Sequence, residues 1–230
     1  MKIGVIGAME VEVALLKERL ACETVLEQAG MRFFSGRAGG REVIVARSGV
    51  GKVNAAMCAQ IMIDLLGVTH IINTGAAGSL DARIDIGDIV ISTDAIHHDA
   101  DVTNLGYAPG QVPGMDLSFP ADAALADAIA ASVAQVEPGI HVFRGRVLSG
   151  DQFIHTDEVK QRLKETFDGL CCEQEGAAIA HVCHLNGVPF AIVRAISDKA
   201  DGSDAMSYDE FEAIAAERSA RIVARVLENL

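Results

Sequence analysis

The sequence predicts an α/β chain built on a mostly parallel sheet with helices on both sides. Short apolar, β-branched runs alternate with helical stretches along its whole length, and several runs stop abruptly at small or turn-forming residues. No linker, internal repeat or low-complexity segment interrupts the pattern, so residues 1–230 read as one domain.

Lys2–Gly7 is a short apolar strand, and a helix follows from about Glu10 to Leu20. At about 100° per residue, Glu12 falls between Leu15 and Leu16, inside the apolar arc. Glu12 is therefore an inward-facing carboxylate or, more simply, a first-turn acid favoured by the helix dipole by ~0.3–1 kcal/mol. Met31–Gly36 and Arg41–Arg47 flank Arg37-Ala38-Gly39-Gly40 as a hairpin. In SGVGKVNAA, Gly51-Lys52 resembles a phosphate loop, but Ala46 stands at its first glycine and Val53 at its Ser/Thr, which excludes that motif. The glycines there allow close backbone approach before a helix from about Lys52 to Leu66.

His70–Asn73 runs into TGAAGSL at Thr74–Leu80, which reads either as a ligand-sized floor at a strand end or as a tight turn. Ile89–Ile96 is a further strand, followed by His97-His98-Asp99-Ala100-Asp101. Adjacent side chains of a strand point to opposite faces, so no metal site is expected from that run. Asn104–Gly114 is a Gly/Pro-rich loop of the kind that covers a site or meets a partner. A helix at about Ala121–Gln135, a strand at Arg144–Gly150 and a helix at Glu158–Phe167 come next. Cys171–Gln174 is a short strand leading into an alanine-rich helix, Glu175–Asn186, ended by Asn186-Gly187. His181 and His184 lie near its C-terminal end, where histidine suits the dipole without any metal.

Phe190–Ile196 is an apolar run interrupted by Arg194, as expected of a buried strand, and it stops at Ser197-Asp198. Ligands of open α/β sheets bind beyond the carboxyl ends of strands, so Asp198 is placed for chemistry. It is equally the composition of a turn or helix cap. A last helix runs from about Tyr208 to Leu230.

Composition narrows the function classes. The chain has 230 residues, 50% of them hydrophobic, and no apolar run approaches the ~20 residues of a membrane span. The N-terminus lacks a signal-peptide pattern, so a soluble cytoplasmic protein is expected. A net charge of −13 without a basic patch argues against nucleic-acid binding. Cys22, Cys58, Cys171, Cys172 and Cys183 form no disulfide pattern and read as free thiols in a reducing compartment.

Glu12, Glu175 and Asp198 each sit just past a strand or at the start of the next helix. Three acids converging on one pocket suit cleavage of a sugar–base bond. That reaction needs an acid for the leaving group, a base for water and acceptors for sugar hydroxyls.

Seven motifs in order, MKIGVIGAMEVEV, SGVGKVNAA, INTGAAGSL, HHDADVTNLGYAPGQVPG, SGDQFI, EQEGAAIAHVCH and VRAISDKAD, cover nearly the whole chain. In these the sequence resembles the 5′-methylthioadenosine/S-adenosylhomocysteine nucleosidases of the nucleoside phosphorylase superfamily. The resemblance implies a single-domain three-layer αβα sandwich with a mixed, mostly parallel twisted central sheet. It implies a hydrolase releasing adenine from 5′-thio-adenosines, with 5′-deoxyadenosine also in range. Asp198, held by Ser197, would protonate purine N7, and Glu12 would activate water that Arg194 helps orient. Glu175 would accept from the ribose hydroxyls within the run Glu173-Gln174-Glu175, Phe153 would stack on the purine, and the Ile154 backbone would read its edge. Met9, Val50 and Tyr208 would line the 5′-thio pocket, completed by Val102, Leu105 and Pro113 from the other subunit of a homodimer. No metal or organic cofactor is implied.

The chain departs from the family pattern at four positions. Gln174 replaces a usual Met against the ribose; buried without a partner, its amide would cost roughly 1–3 kcal/mol. Ala76 replaces a Ser that helps hold the water, and such a bond is worth about 0.5–1.5 kcal/mol. Leu105 and Tyr208 replace phenylalanines at the 5′ pocket. Two other readings of the same residues are a phosphate-using purine nucleoside phosphorylase and a non-catalytic nucleoside-binding relative. Against the first, Glu12 would repel a phosphate dianion; against the second, all three acids are retained.

Overall fold

The structure, a computed structural model, describes the backbone of residues 1–199 and 208–230, and side chains at 1–199 and 213–230. The Gly202 turn lies outside the described residues, and so does the side chain of Tyr208. Strand β1 (Lys2–Gly7) leads into helix α1 (Glu10–Arg19), then come β2 (Ala21–Gln28), β3 (Met31–Ala38) and β4 (Arg41–Arg47). After α2 (Lys52–Asp64), β5 (His70–Ser79) and β6 (Ile89–His97), a two-residue strand β7 (Phe119–Pro120) precedes α3 (Ala123–Val136). The remainder is β8 (Val142–Ser149), α4 (Asp157–Phe167), β9 (Cys171–Glu173), α5 (Gly176–Asn186), β10 (Phe190–Asp198) and α6 (Tyr208–Asn229).

Three features differ from the sequence reading. Ala21–Gln28 is a strand, β2, at the sheet's outer edge; nearly all its residues are exposed, so it lacks the alternation that marks a half-buried strand. The TGAAGSL stretch is not a turn: β5 continues through its glycines to Ser79. Finally, the sheet is evenly mixed, with five parallel and five antiparallel pairings among the described residues.

Part of the sheet closes on itself. The order β10-β6-β8-β9-β5 is joined end to end by a direct β10–β5 pairing, a ring that an open sheet does not contain. From β5 the sheet continues outward as β1-β4-β3-β2. β10 therefore has a hydrogen-bonded neighbour on both sides, parallel β5 and antiparallel β6, which explains its nearly continuous apolar sequence.

Side-chain alternation sorts the core onto the two sheet faces. Ile3, Val5, Val43 and Val45 pack with Val13 and Leu16 of α1, Ile129 of α3 and Val223 of α6. Ile6, Ile44, Phe33 and Ile71 face Cys58 and Met62 of α2 and Ile179 of α5. Helix ends follow local chemistry: Asp122 accepts the Leu125 N–H at 2.8 Å to start α3. Gly187, at φ 63°, ends α5 in the left-handed conformation. All five cysteines are free, and Cys22 alone is exposed. No helix among the described residues is long and apolar enough to cross a membrane.

Thr74 of β5 and Ser219 of α6 are both fully buried and share a 2.6 Å hydroxyl hydrogen bond. Thr74→Val keeps the volume but leaves Ser219 without this partner, so stability is expected to fall by about 1–3 kcal/mol. In denaturant titrations, the Thr74→Val/Ser219→Ala double variant should recover most of that loss. Simple addition of the two single losses would refute the bond's contribution.

Candidate active site

One cleft at the carboxyl ends of β1, β5 and β10 gathers most of the predicted residues. Met9, Glu12, Val50, Ala76, Phe153 and Ile154 line it. So do Glu173, Gln174, Glu175, Arg194, Ser197 and Asp198.

Glu12 enters from the first turn of α1 and is 1% exposed, so its carboxylate faces inward. It accepts the N–H groups of Ala8 at 2.6 Å and Met9 at 2.9 Å, donors of the helix's own N-terminal turn. Its other oxygen accepts the Ala76 N–H at 3.2 Å. Burial raises its pKa above the usual carboxylate value, opposed by the Arg194 charge and these backbone donors.

Arg194 is 1% exposed on β10 and donates to Asn73 Oδ1 at 2.6 Å, to the Ala76 carbonyl at 3.3 Å and to Glu173. Glu175 Oε2 lies 3.5 Å away. A Cβ on Gly75 would strike both Glu12 Oε1 and Arg194 Nη1, so these two groups converge over one glycine.

Glu173 also accepts from Ser149 and from the N–H groups of Glu175 (3.1 Å) and Gly176 (2.8 and 3.0 Å) at the start of α5. With Arg194 added, both its oxygens are occupied. Glu175 has more capacity: its Oε1 accepts the Gly51 N–H at 2.9 Å. Burial, followed by repulsion from Glu173, lifts its pKa to about 7.

Asp198 owes its position to a register shift. Ile196 pairs with Ala77, but Asp198 pairs with Gly78, so Ser197 is an extra residue in β10. Without this bulge Asp198 would lie opposite Ser79. Gly78 leaves the approach open: a Cβ there would sit 2.9 Å from Asp198 Oδ1. Ser197 Oγ is 3.3 Å from that same oxygen, and Lys160 Nζ lies 2.6 Å from Oδ2.

β5 thus measures the site. Glu12 reaches it at Gly75–Ala76 and Asp198 at Gly78, two to three residues on. At strand rise this separates the carboxylates by roughly 7–10 Å. Glycosidases that use water directly hold their acid and base roughly 6.5–9.5 Å apart.

Gln174 is half-buried at the cleft, so the cost of a fully buried, unpaired amide does not apply. Phe153 is 55% exposed and lies at the cleft, while Ile154 is buried beneath. Val102, Leu105 and Pro113 do not line this chain's cleft, and Leu105 is 67% exposed. The sequence points to Gly51 only as a place of close backbone approach, and it does not single out Asn73, Ser149 or Lys160. Only Lys160 left a sign, sharing the inward stripe of α4 with Leu163 and Phe167.

A family model described as the phosphorylase superfamily matches residues 2–228. Among solved structures, the chain is similar to a 5′-methylthioadenosine/S-adenosylhomocysteine nucleosidase from Neisseria meningitidis in complex with methylthio-immucillin-A. The match has 39% identity and a TM-score of 0.94, covering 100% of this chain and 99% of that one. The Colwellia psychrerythraea nucleosidase in complex with adenine matches at 37% identity and TM-score 0.93, over 99% of this chain and 94% of that one. An S-adenosylhomocysteine nucleosidase from Streptococcus pyogenes in complex with 5-methylthiotubericidin matches at 37% and 0.93, over 100% and 97%.

The folded value near 7 for Glu175 exceeds its ordinary 4.5, so the native state holds this proton more tightly than the unfolded chain. Its stabilising effect is complete below about pH 4.5 and is lost as pH rises through 7. Thermal unfolding from pH 5 to 8 should therefore show wild type losing stability relative to Glu175→Gln. A constant difference across that range would contradict the assignment.

Proposed function

The chain belongs to the phosphorylase superfamily and, within it, to the 5′-methylthioadenosine/S-adenosylhomocysteine nucleosidases, N-glycosyl hydrolases that release adenine. From that premise we propose that Asp198 and Glu12 act from opposite ends of one nucleoside. The single observation carrying this reading is that both carboxylates line one cleft and meet β5 at Gly75–Ala76 and at Gly78. Asp198 gives its proton to purine N7, making adenine a viable leaving group and drawing the ribose toward an oxocarbenium ion. Glu12, with Arg194 beside it over Gly75, holds a water and takes its proton as oxygen bonds to C1′.

Glu175 accepts from the ribose hydroxyls, and Glu173, already fully engaged, holds Arg194 and the start of α5 in place. Phe153 covers the purine, and Ile154 presents its backbone to the purine edge. Met9 and Val50 line the 5′ side, whose apolar character favours a thioether over a phosphate; the expected contribution of Tyr208 lies outside the described side chains. Ser197 steadies Asp198, while Ala76 contributes its N–H to Glu12.

Val102, Leu105 and Pro113 serve a partner's cleft in a homodimer. Support comes from their absence from this chain's own cleft and from exposed Val53, 74% exposed on α2 close to Val50. Residues 1–230 form one nucleosidase domain. The two cores on opposite faces of β1 and β4 support a three-layer αβα arrangement around the open part of the sheet. Free, buried thiols favour a reducing, cytoplasmic setting.

Phosphate is disfavoured as nucleophile. Among the described residues lining the cleft, the cation is Arg194, which already pairs with Glu173, and Glu12 would face the dianion.

The test is adenine release from 5′-methylthioadenosine in phosphate-free buffer. Asp198→Asn and Glu12→Gln should each lower kcat by about 10²–10⁴-fold. The raised Glu12 pKa should place the acid limb of the rate profile above the usual carboxylate range. Undiminished activity of Asp198→Asn, or a strict need for phosphate with a pentose-1-phosphate product, would overturn the mechanism.

A further inference from the structure

Lys160 lies in the first turns of α4, on the stripe that also buries Leu163 and Phe167, and is only 4% exposed. An ammonium at that depth is costly unless it is paired and hydrogen-bonded. Its partners are Asp198 Oδ2 at 2.6 Å and the Lys199 carbonyl at 2.5 Å, the last residue of β10 and the one after it. α4 begins just after Phe153 and Ile154, so this one side chain clips the purine-covering segment to the strand carrying the acid.

The contact also distinguishes the two oxygens of Asp198. Both oxygens lie close to Gly78, but Oδ2 is taken by Lys160 at 2.6 Å, whereas Oδ1 has Ser197 Oγ at 3.3 Å. We propose that Lys160 is a positioning residue for the leaving-group proton: by holding Oδ2, it sets the carboxyl plane so that Oδ1 presents the proton to the purine. This rests on the reading of Asp198 as general acid. Lys160 touches neither substrate nor the reacting atoms; it acts through Asp198.

The test compares two leaving groups on the same 5-methylthioriboside. Adenine needs protonation to depart, whereas 4-nitrophenolate does not. Lys160→Met should lower kcat for 5′-methylthioadenosine by about 10–100-fold, the usual scale for a reacting group displaced by an ångström. KM should change little, and the 4-nitrophenyl riboside should be hydrolysed near the wild-type rate. Should Lys160→Met fail to fold, Lys160→Gln is read in the same way. An equal loss on both substrates would assign Lys160 to the fold alone and overturn the proposal, as would an unchanged rate on 5′-methylthioadenosine. Asp198→Asn run alongside separates the two levels. If it keeps full adenine-releasing activity, the acid assignment itself falls. If it loses that activity while Lys160→Met shows no leaving-group selectivity, only the role of Lys160 falls.

Discussion

The site depends on one buried guanidinium. Arg194 lies among Glu12, Glu173 and Glu175, and its Nη2 is also held by Asn73. Asn73 in turn donates to the Ile6 carbonyl at 3.0 Å, so the arginine's place is tied to the first strand as well as to its own. Burial in this dry interior raises both Glu12 and Glu175, repulsion from Glu173 raises Glu175 further, and the Arg194 charge opposes both shifts. Removing one partner of such a buried pair costs about 3–5 kcal/mol because the other charge is stranded. The same contacts that hold the strands in register therefore set the charge of the cleft.

Sheet topology decides where these groups meet. β10 belongs both to the closed ring and, through β5, to the open extension, so its end lies beside the end of β5. Glu12 arrives from β1 on the other side of β5. Small residues on β5 let both carboxylates approach its backbone, and the extra residue Ser197 shifts Asp198 into line with Gly78. Each device is local, a glycine or a one-residue bulge, yet together they set the span between the two carboxylates.

Much of this was legible in the residues and some was not. Glu12 was readable as inward-facing because its helical angle put it among leucines, and its burial agrees. The run from Phe190 read as a buried strand because flanking strands on both sides demand apolar residues throughout. β2 was missed because a strand exposed on both faces has no periodic signature. Ring closure depends on pairing between β5 and β10, over a hundred residues apart, which no local pattern encodes. Lys160 has no motif of its own in the sequence, although its neighbours Leu163 and Phe167 mark that face of α4 as interior.

The cysteines carry a practical corollary. Burial pushes the thiols of Cys58, Cys172 and Cys183 up to about 12 and that of Cys171 well above its ordinary value, so none offers a thiolate at neutral pH. Cys172 lines the cleft itself yet is chemically quiet. Cys22 stands apart on the rim strand, at the far end of the pairing order from β10. A maleimide dye or spin probe would find this one attachment point on the native chain, ready for distance measurements that need no engineered sulfur.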